Sequence, residues 1–202
     1  MFFLGEDMES VKEKKQTIRN EIATKLAGFS EIKILEKTKA VENRLFDFAN
    51  FLEAETVLLY VNRACEVDTK DIIKRCLSYE KAVALPVLSS KKFEINLVRV
   101  RSLEDDFYLN PEGILEPDVS ICKVLPVELI DIAIMPGTAL DEKGSRLGAG
   151  DGYYDRLIPK LPVTTRKVVL AFEEQIVQHV PTESHDKHAD IIITDQRIIY
   201  KI

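Results

Sequence analysis

Met135-Pro-Gly-Thr-Ala-Leu-Asp-Glu-Lys-Gly-Ser-Arg-Leu-Gly-Ala-Gly-Asp-Gly-Tyr-Tyr-Asp-Arg156 directly follows Leu129-Ile-Asp-Ile-Ala-Ile134, and the junction of the two stretches decides the fold. The run from Leu129 to Ile134 is apolar, of strand length and without helical period, so it reads as a strand buried on both faces. A glycine-rich loop therefore leaves the end of a central strand. Gly148, Gly150 and Gly152 alternate, which lets the backbone turn sharply and lets N–H groups converge on an anion. Asp151 is placed to cap a helix beginning at about Gly152, whose positive end would face the loop. Pro136 to Arg156 carries four acids (Asp141, Glu142, Asp151, Asp155) and three bases (Lys143, Arg146, Arg156), a net charge of −1. Phosphate held here would need backbone amides, one or two arginines and a metal ion, because charge alone does not attract it. The spacing matches neither G-x-x-x-x-G-K-[ST] nor G-x-G-x-x-G, since Tyr153 stands third after Gly150. From spacing alone the stretch is either a phosphate loop or a plain strand-to-helix turn.

Around this centre the chain reads as one α/β domain, residues 1–202. The 202 residues are 46% hydrophobic and 31% charged, enough for a sizeable core and without a disorder signature. A net charge of −6 argues against sequence-independent nucleic-acid binding. Met1-Phe-Phe-Leu4 is followed by Gly5-Glu6-Asp7, so neither a signal peptide nor a membrane span is expected, and the cytoplasm is the expected location. Cys65, Cys76 and Cys122 fit neither a disulfide framework nor a zinc site and read as reduced core residues.

Residues 8 to 27 put Val11, Ile18, Ile22 and Leu26 on one stripe of an amphipathic helix, with Lys12, Lys14, Lys15 and Arg19 read as lying off it. Ser30 is a candidate N-cap for a second helix to about Phe51, with Ile34, Val41, Leu45, Phe48 and Leu52 directed inward. Thr56 to Val61 is a strand, Thr69 caps a helix carrying Ile72, Ile73, Cys76 and Leu77, and Ala82 to Val87 is the next strand, which together suggest a parallel crossover. Glu66 falls in the loop after the first of these strands, and Phe93-x-Ile-x-Leu97 alternates like an antiparallel strand. Leu103 to Pro126 reads as a long loop. Lys167 to Phe172 and Ile191 to Thr194 are further strands, and Arg197 to Lys201 is a possible edge strand. His185-x-x-His188 lacks a third ligand at standard spacing and is a weak metal motif.

Pro136, Asp141, Gly144 and Arg146-Leu-Gly-x-Gly-x-Gly-Tyr-Tyr-Asp-Arg156 resemble the signature of the 5-formyltetrahydrofolate cyclo-ligase family. The resemblance extends through Lys15 and Arg19, Glu66-Val-Asp-Thr69, Gly113-Ile-Leu-Glu-Pro117, Leu170-Ala-Phe-x-x-Gln175, Pro181, His185-Asp186 and Asp190. It implies a three-layer α/β/α fold of Rossmann-like topology around a mainly parallel sheet, with the site at the carboxyl ends of the strands. It implies conversion of 5-formyltetrahydrofolate to 5,10-methenyltetrahydrofolate with ATP as co-substrate and Mg²⁺ as cofactor, in a monomer or weak dimer. ATP would be bound by Lys15, Arg19, Arg146, Leu147, Gly148, Ala149, Gly150, Asp151, Gly152, Tyr153 and Tyr154. Val61, Glu66 and the loop Ala149, Gly150, Asp151, Gly152 and Tyr153 would contact the folate, and Asp155 and Asp190 would hold the metal. Ala149 stands where many relatives carry a second arginine, and Leu140 where phenylalanine is usual. A non-catalytic folate- or nucleotide-binding regulatory protein is the competing expectation, and a sugar-phosphate isomerase a weaker third.

Overall fold

In chain order the computed structural model, which describes residues 10–89, 94–109, 115–150 and 152–201, runs α1 (Val11–Ala27), α2 (Glu31–Phe46), α3 (Ala49–Glu53), β1 (Thr56–Leu58), α4 (Lys70–Ser78), β2 (Ala82–Ser89), β3 (Glu94–Val100) and β4 (Phe107–Leu109). It continues through β5 (Leu115–Pro117), β6 (Lys123–Val124), β7 (Ile132–Met135), β8 (Ala139–Leu140), β9 (Arg146–Leu147), α5 (Tyr153–Leu157), β10 (Arg166–Leu170), β11 (Ile191–Ile193) and β12 (Ile198–Tyr200). The main sheet has the order β12-β11-β10-β7-β1-β2-β3-β6. Its centre, β11-β10-β7-β1-β2, is parallel, and β12, β3 and β6 add antiparallel edges. This is the expected α/β architecture. From β1 the chain winds outward to β2 on one side, while β7 pairs β1 on the other. Such a reversal opens a crevice beyond the carboxyl ends of the two strands.

Period-two alternation divides the core. Val57, Ile132, Ile134, Val168, Leu170, Ile191 and Ile193 pack into one apolar cluster with Ile22 and Leu26 of α1, Val41 and Leu45 of α2, and Ile72 and Ile73 of α4. Leu58, Ala133, Met135, Val169 and Ile192 face the other way, against Leu157 of α5 and Leu161. That second covering is thin, a short helix extended by the 3₁₀ turn Ile158–Lys160.

The helix starts follow local chemistry. Ser10 caps α1 in a reciprocal box: Ser10 N donates to Glu13 Oε2 at 2.7 Å and Glu13 N to Ser10 Oγ at 3.3 Å. Ser30 caps α2 by accepting from Lys33 N at 3.3 Å. The second helix, however, does not run on to Phe51. Phe48 is extended (φ −81°, ψ 114°), which lets Phe46, Phe48 and Phe51 all turn inward. Phe46 and Phe51 meet edge to face with ring centroids 5.1 Å apart. Leu52, expected inside, is 48% exposed in consequence.

Other expectations change in detail. Thr69 occupies the N-cap position of α4 but does not cap it, because its hydroxyl donates to Tyr60 O at 2.5 Å. Asp68 Oδ1 instead accepts from Lys70 N at 2.8 Å. The stretch from Leu103 to Pro126 contains the antiparallel pair β4–β5 and the sheet strand β6, and is not a plain loop. Phe93 and Gly113-Ile114 lie outside the described residues. The cysteines are free; Cys76 is buried and its thiol is pushed up to about 12, chiefly by desolvation, which makes it inert.

After β7 the chain makes the hairpin β8–β9, closed by a turn at Asp141. The buried Asp141 carboxylate accepts from the main-chain N–H of Lys143, Ser145 and Val180, each at 3.0 Å. Gly144 ends this turn at φ +80°, and a Cβ there would overlap the carbonyl oxygen of Ala189. Gly144→Ala is therefore expected to destabilise the protein by about 2 kcal/mol or more. That corresponds to a fall of about 4–8 °C in Tm for a chain of this size, read by thermal unfolding. An unchanged midpoint would show that the turn relaxes at no cost.

Candidate functional site

Beyond the carboxyl ends of β1 and β7 lies a cleft of about 870 Å³. Its walls come from α1 (Lys12, Lys15, Gln16, Arg19), the segment after β1 (Tyr60, Val61, Arg63, Glu66), Pro86 and Val87 of β2, and Leu115 to Pro117 of β5. Pro136, the stretch from Arg146 to Gly150, Gly152 to Asp155, and Glu183, His185 and Asp186 complete it.

Arg146 anchors the floor. Its side chain is 3% exposed, its Nη2 donates to Asp155 Oδ1 at 2.9 Å, and its Nη1 to Pro136 O at 3.4 Å. The guanidinium carbon stands 5.7 Å from the centre of the Tyr154 ring. Among the described residues Arg146 Nε is buried without a hydrogen-bond partner, so the group retains a donor. Gly148 makes room for it, since a Cβ there would stand 2.9 Å from Arg146 Nη1.

Lys15 and Arg19 reach the cleft from α1. Lys15 Nζ contacts Asp186 Oδ2 at 2.5 Å and Glu183 Oε2 at 2.9 Å. Burial alone would lower its pKa, but these hydrogen bonds outweigh burial and the net shift is upward. Burial would likewise raise the Asp186 carboxyl, and the bond from Lys15 leads the effects that hold it below the ordinary value. Arg19 Nε donates to Gly148 O at 2.9 Å, tying the helix to the glycine loop. Lys15 is buried and lies on the inward stripe with Ile22 and Leu26, four residues after Val11, which corrects the reading that set it off that stripe.

Glu66 lies deeper. Its Oε2 accepts from Arg63 N at 2.8 Å, yet desolvation is the larger effect and raises its pKa. Burial also pushes up the phenols of Tyr60 and Tyr154, and the Glu66 charge adds to both shifts. Tyr60 donates to Val67 O at 3.1 Å.

The cleft thus brings together Lys15, Arg19, Val61, Glu66, Arg146, Leu147, Gly148, Ala149, Gly150, Gly152, Tyr153, Tyr154 and Asp155. Asp151 lies outside the described residues, and the N-cap of α5 is Gly152, left-handed at φ 63°, rather than Asp151. Asp190 is not brought to the cleft. It precedes β11 at the amino end of the sheet, where its Oδ2 accepts from Lys167 N at 3.0 Å and pairs with Lys167 Nζ at 3.1 Å. The structure places Asp186 in the cleft instead, with Glu183 and His185, their ligand atoms within 4.8 Å of one another. His185-Asp186 is present in the sequence pattern; what the sequence lacks is the direction of the chain between Asp186 and β11. His188 is exposed.

A model of the 5-formyltetrahydrofolate cyclo-ligase family matches residues 11–195. The chain is 33% identical over 178 residues to the 5-formyltetrahydrofolate cyclo-ligase of Haemophilus influenzae, covering 86% of this chain and 94% of that protein. The solution structure of Aquifex aeolicus 5,10-methenyltetrahydrofolate synthetase superposes with a TM-score of 0.79 at 28% identity, over 93% of this chain and 92% of the other. The 5,10-methenyltetrahydrofolate synthetase of Mycoplasma pneumoniae, at 20% identity and a TM-score of 0.72, shares the fold over 90% of this chain and 98% of its own.

The Glu66 shift carries a signed consequence. A carboxyl whose folded-state pKa is raised gains stability for the fold as pH drops through that pKa, and its ionised form costs stability at neutral pH. Glu66→Gln keeps an acceptor for Arg63 N–H and removes the half-buried charge. Its thermal midpoint is expected to exceed the parent's at pH 7 and to converge with it below about pH 4, near the ordinary glutamate pKa. A midpoint at pH 7 no higher than the parent's would show that the ionised carboxylate costs the fold nothing.

Proposed function

The chain belongs to the 5-formyltetrahydrofolate cyclo-ligase family, and on that premise we propose that it converts 5-formyltetrahydrofolate to 5,10-methenyltetrahydrofolate with consumption of Mg²⁺-ATP. One observation supports the nucleotide and metal above all others. Two cations of the cleft are paired with its acids, Lys15 with Asp186 and Arg146 with Asp155, beside a glycine loop. A magnesium triphosphate offers each partner a replacement: carboxylate oxygens are the hard donors that magnesium prefers, and the guanidinium and ammonium suit phosphate. Asp155 and Asp186, with Glu183 beside them, are the residues to hold the ion; when bound it neutralises charge on the phosphate oxygens.

The chemistry follows from the weakness of an amide oxygen as a leaving group. The formyl oxygen attacks the γ-phosphorus and ADP departs, which leaves an imino-phosphate at N5. N10 then attacks the former formyl carbon, its proton is lost, the C–O bond breaks and inorganic phosphate leaves as the ring closes. Arg146, Lys15 and Arg19, with N–H groups of the stretch from Leu147 to Tyr154, would orient the triphosphate. Val61, Glu66 and the residues from Ala149 to Tyr153 would orient the folate. Positioning and charge stabilisation do most of the work in phosphoryl transfer.

Two further parts belong to the proposal. The protein is taken to act as a monomer or weak dimer. Among the described residues no helix is long and apolar enough to cross a membrane, in keeping with a cytoplasmic location.

Mixing the protein with 5-formyltetrahydrofolate and Mg²⁺-ATP and following methenyl absorbance tests the reaction. Omission of ATP, or chelation of magnesium, is expected to abolish product. A protein that binds both ligands without forming product would instead be the non-catalytic relative.

The metal assignment separates three acids. Asp155→Asn and Asp186→Asn are each expected to lower kcat/KM by about tenfold to a hundredfold, the loss of one charge-assisted contact of about 1.5–3 kcal/mol, with partial recovery at high magnesium. Asp190→Asn should leave the kinetics of the folded protein within about twofold, since its carboxylate serves Lys167 at the other end of the sheet. A severe loss in Asp190→Asn with normal Asp186→Asn would reverse the assignment.

Arg19→Ala is expected to raise the KM for ATP, with a similar tenfold to hundredfold fall in kcat/KM, and to change the KM for 5-formyltetrahydrofolate much less. Unaltered ATP kinetics would confine Arg19 to its bond with the Gly148 carbonyl.

A further inference from the structure

Gln175 matches a motif of the sequence and has no role in the reaction described so far. It ends the 3₁₀ turn that follows β10, and its side chain is fully buried behind the cleft. Its Nε2 donates to Gly137 O at 2.9 Å, Thr138 O at 3.0 Å and Cys65 O at 3.2 Å, while its Oε1 accepts from Phe172 N at 2.7 Å. One carboxamide thereby joins the segments that leave the carboxyl ends of β1, β7 and β10. Two N–H groups serve three carbonyls, so the amide is held against all of them at once.

Two of the bonded carbonyls, those of Cys65 and Gly137, adjoin residues of the cleft. Cys65 precedes Glu66, and it sits at φ 67°, a region that side-chain-bearing residues rarely adopt, so its peptide needs an external tether. Gly137 follows Pro136, whose own carbonyl accepts from Arg146 Nη1. The sheet beneath is closed by its ladders and apolar faces. What the carboxamide adds is the relative placement of the Glu66 segment and the Pro136–Arg146 segment.

We propose that Gln175 is a positioning residue for the condensation: its carboxamide fixes the separation of the folate-facing and phosphate-facing segments and so the approach of the formyl oxygen to the γ-phosphate. The proposal rests on the functional reading above. Displacement of about 1 Å at reacting atoms lowers rates by about a hundredfold while leaving each ligand its own contacts. A carboxamide supplies two donors and an acceptor at once, whereas a glutamate would set a carboxylate against three carbonyls.

The test compares Gln175→Met, of similar length without the amide, and Gln175→Asn, which keeps the amide one methylene short. Calorimetry gives the Kd of 5-formyltetrahydrofolate alone and of a magnesium complex of a non-hydrolysable ATP analogue alone. Single-turnover formation of the methenyl product gives the chemical rate. Expected is a tenfold to hundredfold loss in that rate for both variants, with each separate Kd within about threefold of the parent. A parental rate in either folded variant overturns the proposal, and so does a rate loss matched by an equal loss of affinity for one ligand. Failure of both variants to fold assigns the residue to stability and overturns it as well. Absence of turnover in the parent protein overturns the functional reading itself, and is told apart by that control.

Discussion

A guanidinium withdrawn from water must be given partners, and the buried Arg146 imposes that demand on everything around the cleft. Removing one partner of a buried ion pair leaves an uncompensated charge and is far more costly than the pair is stabilising. Asp155 therefore has to sit within bonding distance, which fixes α5 close behind the glycine loop. The loop must pass without a Cβ at Gly148, and the β8–β9 hairpin must return β9 to the floor, for which the Asp141 turn with its three N–H bonds is the device. Lys187 N also donates to Asp155 Oδ1 at 3.0 Å, so the same carboxylate fastens the segment that carries Glu183 and Asp186. One buried cation thus links strand end, loop, helix and the distant acidic segment.

The Lys15 and Arg146 pairs together leave the cleft nearly neutral in itself. Acids that would hold a metal occupy the cations that would hold phosphate. A metal ion alone would meet carboxylates already engaged, and a metal-free triphosphate would meet Lys15 and Arg146 already engaged. Bound together, the two would satisfy both sets, and each would then favour the other's binding, a reciprocal coupling. The net −6 charge of the chain points the same way, since its overall field does not draw a bare polyanion in.

The fold was legible where burial is written into local pattern. Ile132 to Ile134, Val168 to Leu170 and Ile191 to Ile193 are apolar on both alternations and could only be central strands. Short elements were not: β4, β5 and β6 have two or three residues each, too few for a period to show. The break after Phe46 depends on an aromatic pair that only packing creates. Within the cleft, the glycine loop announced itself because glycine spacing is local. Lys15 was misread because its charge suggested solvent, while its helical position is on the buried stripe and its acids lie 168 and 171 residues away. Asp190 was chosen over Asp186 for a similar reason. Both are acids in one motif, and only the course of the chain down to β11 decides which of them ends at the cleft.

The two halves of α1 are held by different physics. Its carboxyl half is seated by Ile22 and Leu26, both buried, and apolar burial is insensitive to what occupies the cleft. Its amino half is seated by Lys15 on Glu183 and Asp186 and by Arg19 on the Gly148 carbonyl, while Val11 is 38% exposed. These charged contacts are the ones a magnesium triphosphate would compete for. Local opening follows the weakest and most exchangeable contacts of a structure. The helix is therefore held by apolar burial at one end and by charged contacts at the other, and a ligand that took Asp186 from Lys15 and drew Lys15 onto phosphate would change how the amino half of α1 is attached without disturbing the core that holds the rest.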